Sequence, residues 1–316
     1  MLALKGLTKR YGSRTVVDDP TLDVASGAVT GILGPNGAGK STTMRMIVGL
    51  DRPTAGTALI DGKPYAELTH PLRRVGALLD AGAVHPKRSA HRHLLAMARS
   101  NGLGARRVDE VLDLVGLADV AGRPARSFSL GMRQRLGIAG AIPGDPAVLL
   151  LDEPVNGLDH DGAVWMRAFL RGSAAEGRTV FVSSHLMSEM ETVADRLVLL
   201  GRGRLIAHRP IADLLAHASR PIVRVRGPEP DRLRALARRL AVEGACVRWS
   251  APTVMVVTGH TAERVGDVAH ELRVALHELR AVETSLEDAY VELVGGSVEF
   301  SGRRDGSGGR HEVAAP

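Results

Sequence analysis

Residues 34–42 have the types and spacing needed to hold a phosphate group. They read Gly-Pro-Asn-Gly-Ala-Gly-Lys-Ser-Thr and match the pattern G-x-x-x-x-G-K-[ST]. The glycines let backbone N–H groups close around phosphate oxygens, Lys40 can reach the β- and γ-phosphates, and the Ser41 hydroxyl can bind Mg²⁺. The pattern therefore predicts that a nucleoside triphosphate is bound by Gly34, Asn36, Gly37, Gly39, Lys40, Ser41 and Thr42.

Two adjacent carboxylates, Asp152 and Glu153, follow five apolar residues at 147–151. Such a continuous apolar run is typical of a buried parallel strand. At its carboxyl end Asp152 can hold Mg²⁺ through water, and Glu153 can polarise an attacking water. The alternative is ordinary surface charge, which the apolar run and the upstream phosphate loop disfavour.

A second buried strand is predicted at 179–184, and His185 follows it directly. A lone histidine is more often structural. This one ends a strand that should lie beside the phosphate site, so a γ-phosphate contact is favoured. Tyr11 follows the first predicted strand and is either a half-buried aromatic or a ring that stacks on adenine.

The elements around these residues predict an α/β fold. The phosphate loop follows a predicted strand at 29–33 and opens a helix at 42–50. The pattern predicts an antiparallel β region over residues 3–33, strands at 57–62 and 74–79, helices from 91 to 144, and two strands within 196–207. Pro143 should end the last of these helices.

The chain of 316 residues is long enough for two domains, and a boundary is predicted near residues 219–221. The second, small α+β unit should span 220–295, with strands at 222–226, 246–249, 253–258 and 279–282 and helices at 230–243, 261–276 and 284–293. It contains no recognisable catalytic set. Residues 296–316, rich in Gly, Ser and Arg, predict a disordered tail.

Charge and composition restrict the partners. The net charge is +6, and the whole excess lies in residues 1–219, with 27 basic against 21 acidic residues, which suits an anionic ligand or a membrane surface. Aromatic residues make up 3% of the chain and form no basic stripe, so nucleic acid is not expected as a partner. No apolar run reaches membrane-spanning length, and the charged first residues do not resemble a signal peptide.

The remaining metal and thiol candidates are weak. His85, His91 and His93 lack the spacing and the accompanying ligands of a metal site. The single cysteine, Cys246, excludes an internal disulfide, and we expect it to be a small core residue.

Together these motifs resemble the ATP-binding subunits of ABC transporters over about residues 2–215. Residues 34–42 resemble the Walker A loop, 148–153 the Walker B strand, 127–135 (Ser-Phe-Ser-Leu-Gly-Met-Arg-Gln-Arg) the signature, 156–159 (Asn-Gly-Leu-Asp) the D-loop, and His185 the switch histidine. The resemblance implies a P-loop ABC ATPase core with an antiparallel β region and a helical subdomain at about 85–144, followed by the small α+β domain.

The family mechanism adds roles to these residues. The resemblance implies a head-to-tail homodimer in which Ser129 and Gly131 of one subunit meet the γ-phosphate bound by the other, with Asp159 beside them. Glu153 would be the general base, Lys40 and His185 would act on the γ-phosphate, Asp152 and Ser41 would serve Mg²⁺, and Tyr11 would stack on adenine.

Three positions, in two motifs, depart from the family pattern. Leu130 and Met132 replace a glycine and a glutamine of the usual signature, in a version that still resembles bacterial drug- and lipid-exporting subunits. Asp80 stands where the Q-loop has glutamine, and its carboxylate could serve Mg²⁺ directly or through water.

The predicted function is ATP hydrolysis that powers a separate transmembrane permease from the cytoplasmic face of the membrane, exporting a drug-like or lipid-like compound, as in antibiotic self-resistance. Residues 284–293 resemble the closing helix of export ATPases. The alternatives are an importer ATPase and a soluble ABC ATPase that acts on ribosomes or nucleic acid. A single Walker A motif and the short spacing from Lys40 to Ser127 disfavour the soluble alternative.

Overall fold

The computed structural model describes residues 1–217, 221–282 and 286 of the chain. The strands are β1 (Leu2–Tyr11), β2 (Arg14–Val17), β3 (Leu22–Val24), β4 (Ala28–Leu33), β5 (Ala55–Ile60), β6 (Val75–Leu78), β7 (Val148–Asp152), β8 (Thr179–Ser184), β9 (Arg196–Gly201), β10 (Arg204–Pro210), β11 (Ile222–Arg226), β12 (Cys246–Ala251), β13 (Val254–Thr258) and β14 (Glu278–Val282). The helices are α1 (Lys40–Ile47), α2 (Ala90–Ser100), α3 (Ala105–Leu114), α4 (Leu130–Ala141), α5 (His160–Ala175), α6 (Met187–Val193), α7 (Ile211–His217), α8 (Pro230–Val242) and α9 (Ala262–Glu271).

The first sheet is antiparallel and is built around β1. Strands β2, β3 and β5 all pair with β1, so Leu2 lies opposite both Val24 and Ile60. The antiparallel region predicted for residues 3–33 is confirmed for β1 to β3. Strand β4, within that range, instead pairs in parallel with β8 and β9 in the second sheet.

The second sheet carries the phosphate loop. Its order is β10-β9-β4-β8-β7-β6, and all neighbours are parallel except the edge pair β10-β9. Four residues of β7, from Val148 to Leu151, are 0% exposed, which confirms the buried parallel strand predicted from the apolar run. Since parallel strands end at one edge, the residues that follow β4, β7 and β8 meet there.

Helix α1 lies between the two sheets. Its buried Met44 and Ile47 share a core cluster with Leu150 and Phe181 on one face of the parallel sheet and with Leu2 and Leu4 of the first sheet. On the other face, Leu149 and Leu151 pack in a cluster with Met166 and Leu170 of α5. Side chains of β7 alternate between the two faces of the sheet, so the strand packs against both layers. The same alternation sets the face to which each of its last residues points.

Helices α2, α3 and α4 form the predicted helical region. Val108, Val111 and Leu112 of α3 are buried at the spacing that predicted the helix. Helix α4 ends at Ala141, two residues before Pro143, as expected from the missing proline N–H. None of the described helices is both long and apolar enough to cross a bilayer.

Residues 221–282 form a third, antiparallel sheet with the order β12-β13-β11-β14. Helices α8 and α9 pack on it, and Leu236 and Val265 share one core cluster with Val223, Val225 and Met255. The element order βαββαβ and this strand order are the ferredoxin-like arrangement.

Two expectations for this C-terminal unit were wrong. Helix α9 ends at Glu271 rather than 276, because the chain turns at Arg273, which adopts a left-handed φ of 52°. Cys246 is exposed because it begins β12, the edge strand of the sheet. Residues 219 and 220 of the predicted boundary, most of the predicted helix at 284–293 and the whole tail at 296–316 lie outside the described residues. Leu286 alone of that helix is described, and it is buried in a core cluster with α5 residues.

Candidate nucleotide site

The phosphate loop connects β4 to α1 and needs glycine at two positions for different reasons. A Cβ at Gly34 would lie 2.4 Å from the carbonyl oxygen of Leu200. Gly39 has φ 99°, and a Cβ there would lie 2.7 Å from the carbonyl oxygen of Val16. The loop can therefore pass close to two neighbouring backbones only without side chains.

The remaining loop residues face outward at the start of α1. Asn36 and Gly37 are exposed, and Gly37 has φ 80°. Ser41 is exposed in the first turn of α1, and Thr42 is half-buried beside it. A cavity of about 310 Å³ adjoins the loop and is lined by Asn36, Gly37 and residues 14–16 of β2, with Arg202 at its edge.

Lys40 begins α1 and is the buried cation of the site. It is 7% exposed, and its Nζ donates a hydrogen bond to the Gly34 carbonyl at 2.7 Å. Burial lowers the pKa of Lys40, while the charges of Glu153 and Asp152 act in the opposite direction. The ammonium group is thus held among the loop's own backbone groups, and the strand-end carboxylates are near enough to affect it.

The ends of β7 and β8 bring the predicted catalytic residues together. Asp152 lies opposite Ser183 in the parallel register. The Ser183 hydroxyl donates to Asp152 Oδ1, and the backbone N–H of Glu153 donates to Ser183 Oγ at 2.9 Å. His185 Nδ1 lies 2.8 Å from Glu153 Oε2. Sequence reasoning identified three of these four residues and missed Ser183, whose signal is its position opposite Asp152 on the neighbouring strand.

Ser129 lies at the start of α4, where its side chain serves the helix. Its Oγ accepts a hydrogen bond from the Met132 N–H at 3.2 Å, so it is the N-cap of α4. Gly131 follows in the first turn and is half-buried. A cleft of about 400 Å³ is lined by residues 129–132 and 157–159, which brings the predicted signature and D-loop together.

The D-loop contacts the signature through Leu130. A Cβ at Gly157 would lie 2.3 Å from Leu130 Cδ2, and Gly157 has φ 79°. Asp159 caps α5, since its Oδ1 accepts a hydrogen bond from the Gly162 N–H at 2.8 Å. Leu130, which replaces a glycine of the usual signature, therefore packs against position 157, where only glycine fits.

Two predicted residues lie away from the phosphate loop cavity. The Tyr11 hydroxyl donates to Asp51 Oδ2 at 3.1 Å, and Lys9 Nζ lies 4.9 Å from the centre of its ring. Tyr11 does not line the described cavity beside the loop. Asp80 is exposed after β6, where its Oδ1 accepts a hydrogen bond from the Gly82 N–H at 2.7 Å.

Gln134 is a buried polar residue that sequence reasoning did not select. It lies on α4 and is 5% exposed, and its Nε2 donates to the carbonyl oxygens of Glu153 at 3.1 Å and Pro154 at 3.0 Å. The only available signal was its position within the signature segment 127–135, about one turn into α4.

Comparisons with known proteins agree with this geometry. The family model for the ABC transporter domain matches residues 17–156, and a domain of unknown function matches residues 221–287. A relative described as an uncharacterized ABC transporter ATP-binding protein, YhcH of Bacillus subtilis, is 35% identical over 95% of this chain and 97% of its own.

Two further relatives have named functions. The bacitracin transport ATP-binding protein BcrA of Bacillus licheniformis is 34% identical over 92% of this chain and 96% of its own. The Nod factor export ATP-binding protein I of Ralstonia nicotianae is 37% identical over 76% of this chain and 77% of its own.

A solved structure, described as that of the ATP binding subunit of an ABC transporter, superposes with a TM-score of 0.63 and 28% identity, covering 69% of this chain and 92% of that one. Motifs, fold and relatives agree. The chain belongs to the ATP-binding proteins of ABC transporters and is a P-loop ATP hydrolase.

Proposed function

We propose that this chain drives a separate transmembrane permease and that the pair exports an amphipathic, drug-like or lipid-like compound. The observation that supports it most directly is the convergence of Lys40, Asp152, Glu153 and His185 at one edge of the parallel sheet. The named relatives, which act in bacitracin transport and Nod factor export, support the direction and the class of compound.

Glu153 is the general base in this proposal. Its carboxylate accepts a proton from the attacking water, and its distance of 2.8 Å to His185 keeps one oxygen oriented. The His185 side chain is 45% exposed, so it can turn from Glu153 toward the γ-phosphate. Lys40 neutralises the charge that the phosphate oxygens carry.

Asp152 and Ser41 are the proposed residues for Mg²⁺. The metal prefers hard oxygen ligands, and the exposed Ser41 hydroxyl and the second carboxylate oxygen of Asp152 meet that preference. Asp80 retains one carboxylate oxygen outside its turn and is a further candidate. When bound, Mg²⁺ would add positive charge that stabilises the transferred phosphoryl group.

A complete site requires two copies of this chain. The cavity beside the phosphate loop and the cleft of the signature have no lining residue in common. In the proposed head-to-tail dimer, a nucleotide in one chain's loop meets Ser129, Gly131 and Asp159 of the second chain, and the separate lining of the two regions supports this arrangement. Tyr11 is the proposed adenine contact, and its ring is 49% exposed and available for stacking.

The permease would dock beside Asp80. A groove of about 450 Å³ lies between the sheet core and the helical region, lined by apolar residues of both, including Val48, Leu79, Val84 and Met97. Leu50 at its rim is 62% exposed. An apolar groove with an exposed leucine suits an amphipathic helix of a membrane partner, and this supports the proposed location at the cytoplasmic face of the membrane.

Co-purification tests this proposal. The tagged chain, extracted from membranes in mild detergent, should bring down a polytopic membrane protein in stoichiometric amount. Leu50→Arg should lose that protein while the purified subunit keeps its ATPase activity. Leu114→Arg, which charges an exposed leucine of α3 outside the groove, is the matched control. Recovery with ribosomes or DNA, and without a membrane protein, would favour the soluble alternative.

A further inference from the structure

A strongly basic concave surface lies between the Q-loop position and α2, and none of the roles above uses it. Its volume is about 770 Å³. We call it the basic pocket. One wall is formed by His85, Lys87, Arg88, His91 and Arg92, and the other by Ala121, Gly122 and Pro124.

The two walls are joined by backbone hydrogen bonds. The N–H of His91 donates to the Ala121 carbonyl at 3.0 Å, and that of Ala125 donates to the Arg88 carbonyl at 3.0 Å. A third bond, from the Arg126 N–H to the Pro86 carbonyl, measures 2.9 Å. The cationic side chains therefore extend from a fixed backbone frame, which lowers the ordering cost of binding a ligand.

The positive charge of the basic pocket is not neutralised by the described part of the chain. Within residues 1–217 and 221–282, Lys87, Arg88 and Arg92 form no ion pair, and all three are exposed. Six of the nine residues at 85–93 are basic, counting histidine, and none is acidic. By contrast, Arg106 and Arg107 on the next helix both pair with Glu110.

One carboxylate approaches the wall without removing this excess. Asp109 Oδ1 lies 3.3 Å from His91 Nε2, and the Asp109 side chain is 63% exposed. The field of the pocket is felt by its neighbours, because Arg88 adds to burial in lowering the pKa of His93. Like charges close together repel one another, and a bound anion relieves that repulsion.

We propose that the basic pocket binds a phosphate-bearing anion. Arginine guanidinium groups match phosphate oxygens with paired N–H donors, and Lys87 adds a point charge. The lining has no Phe, Tyr or Trp ring, the side chains that stack best on a base, which disfavours single-stranded nucleic acid. The cationic side chains of the first wall, rather than the end of α2, make the site.

The phosphate could come from an anionic lipid headgroup or from a free phosphate. His93 lies on the same turn of α2 as His91 and Arg92 of the basic pocket, and it lines the groove proposed for the permease. The basic pocket therefore adjoins the surface that would face the membrane. This position favours the headgroup, and the binding chemistry is the same for both sources.

The test uses the full chain, with its phosphate loop filled by Mg²⁺ and a non-hydrolysable ATP analogue. One arm measures co-sedimentation with phosphatidylcholine vesicles with and without phosphatidylglycerol. The other titrates inorganic phosphate against sodium chloride of equal ionic strength. The site variant is Arg88→Gln with Arg92→Gln. The control, Arg99→Gln with Arg106→Gln, removes the same charge from exposed positions on α2 and α3.

We expect the site variant to bind roughly 30-fold more weakly, because each of its two arginines contributes about 1 kcal/mol. The affinity of the control variant should stay within about twofold of the parent. ATPase activity within about twofold in both variants shows that they fold. If the site variant loses binding to the phosphatidylglycerol vesicles, the ligand is a lipid headgroup. If it loses binding of inorganic phosphate, the ligand is a free anion. Equal losses in the two variants, or binding in neither arm, would overturn the proposal.

Discussion

Gln134 ties the helix of the signature to the backbone of Glu153 in the same chain. Its side-chain amide donates to the Glu153 carbonyl at 3.1 Å and to the Pro154 carbonyl at 3.0 Å. Glu153 has φ 49°, a left-handed conformation that costs a residue with a side chain roughly 1–2 kcal/mol. The buried amide therefore supports a strained turn. Ser129, the N-cap of the same helix, lies where the partner's nucleotide is proposed to bind.

Gln134→Met keeps the length of the side chain and removes both donors. We expect kcat per folded chain to fall about 10- to 100-fold, because a small misplacement of Glu153 is costly, while ATP affinity stays within about twofold. Steady-state kinetics and nucleotide titration measure the two effects.

Leu136→Ala is the control for Gln134→Met, since it removes a fully buried side chain of the same helix. It should lower the free energy of unfolding by about 2–5 kcal/mol with little change in kcat per folded chain. If both variants reduce kcat only in proportion to lost stability, Gln134 has no positioning role.

The sequence predicted the parts of the site that depend on local pattern. Gly39 and Lys40 occur in a spacing that only a phosphate loop needs, and the apolar run before Asp152 indicated a buried parallel strand. Contacts between distant segments had no such signal. Gln134 on Glu153 and Leu130 on Gly157 depend on how α4 packs against the end of β7, which no local periodicity encodes. Cys246 was misjudged because exposure on an edge strand is set by sheet order.

Glu153→Gln tests the general base directly. The amide cannot accept a proton from water, so we expect hydrolysis to slow by about 10²–10⁴ while ATP still binds. Single-turnover hydrolysis measures the chemical step. Glu176→Gln, at the exposed end of α5, should hydrolyse at the parent rate. Parent-level activity in Glu153→Gln would show that Glu153 is not the general base.

Lys40 should make the affinity for ATP change with pH in the alkaline range. Burial lowers its pKa below the usual 10.5 in the chain, and bound phosphate should raise it again. Binding then takes up a proton between the two pKa values, so affinity should be constant at lower pH and fall as pH rises through this window. The same shift makes the unliganded fold gain stability as pH rises toward 10.5, because the charged form is the disfavoured one.

Nucleotide titrations from about pH 8 to 10 check the Lys40 effect. Lys40→Arg is the comparison, since a guanidinium group remains protonated throughout this range. We expect the decline in affinity to disappear in that variant, even if its affinity is lower overall. A parallel decline in both proteins would assign the pH dependence to another group.

Gly157 and Leu130 should be coupled in stability. Gly157→Ala places a Cβ 2.3 Å from Leu130 Cδ2 and also occupies φ 79°, so we expect it to destabilise the chain by about 1–3 kcal/mol. Leu130→Gly removes the clash and leaves the backbone cost. Urea unfolding of both single variants and the double variant should show that Gly157→Ala is less harmful without Leu130. Strict additivity would contradict the contact.

ATPase activity should depend on the concentration of this chain if, as proposed, each complete site forms between two copies. The phosphate loop cavity and the signature cleft share no lining residue. Lys40 bonds to the phosphate loop at the Gly34 carbonyl, whereas Ser129 lines the signature cleft. Dilution therefore separates residues that stabilise the same transition state, and activity per chain should fall as dimers dissociate.

A mixture of Lys40→Ala with Ser129→Ala sharpens the test. Each variant alone has two damaged sites, whereas a mixed dimer has one site with an intact Lys40 and an intact Ser129. The mixture should recover up to about a quarter of the parent activity under random pairing, and a mixture no more active than its components would contradict shared sites.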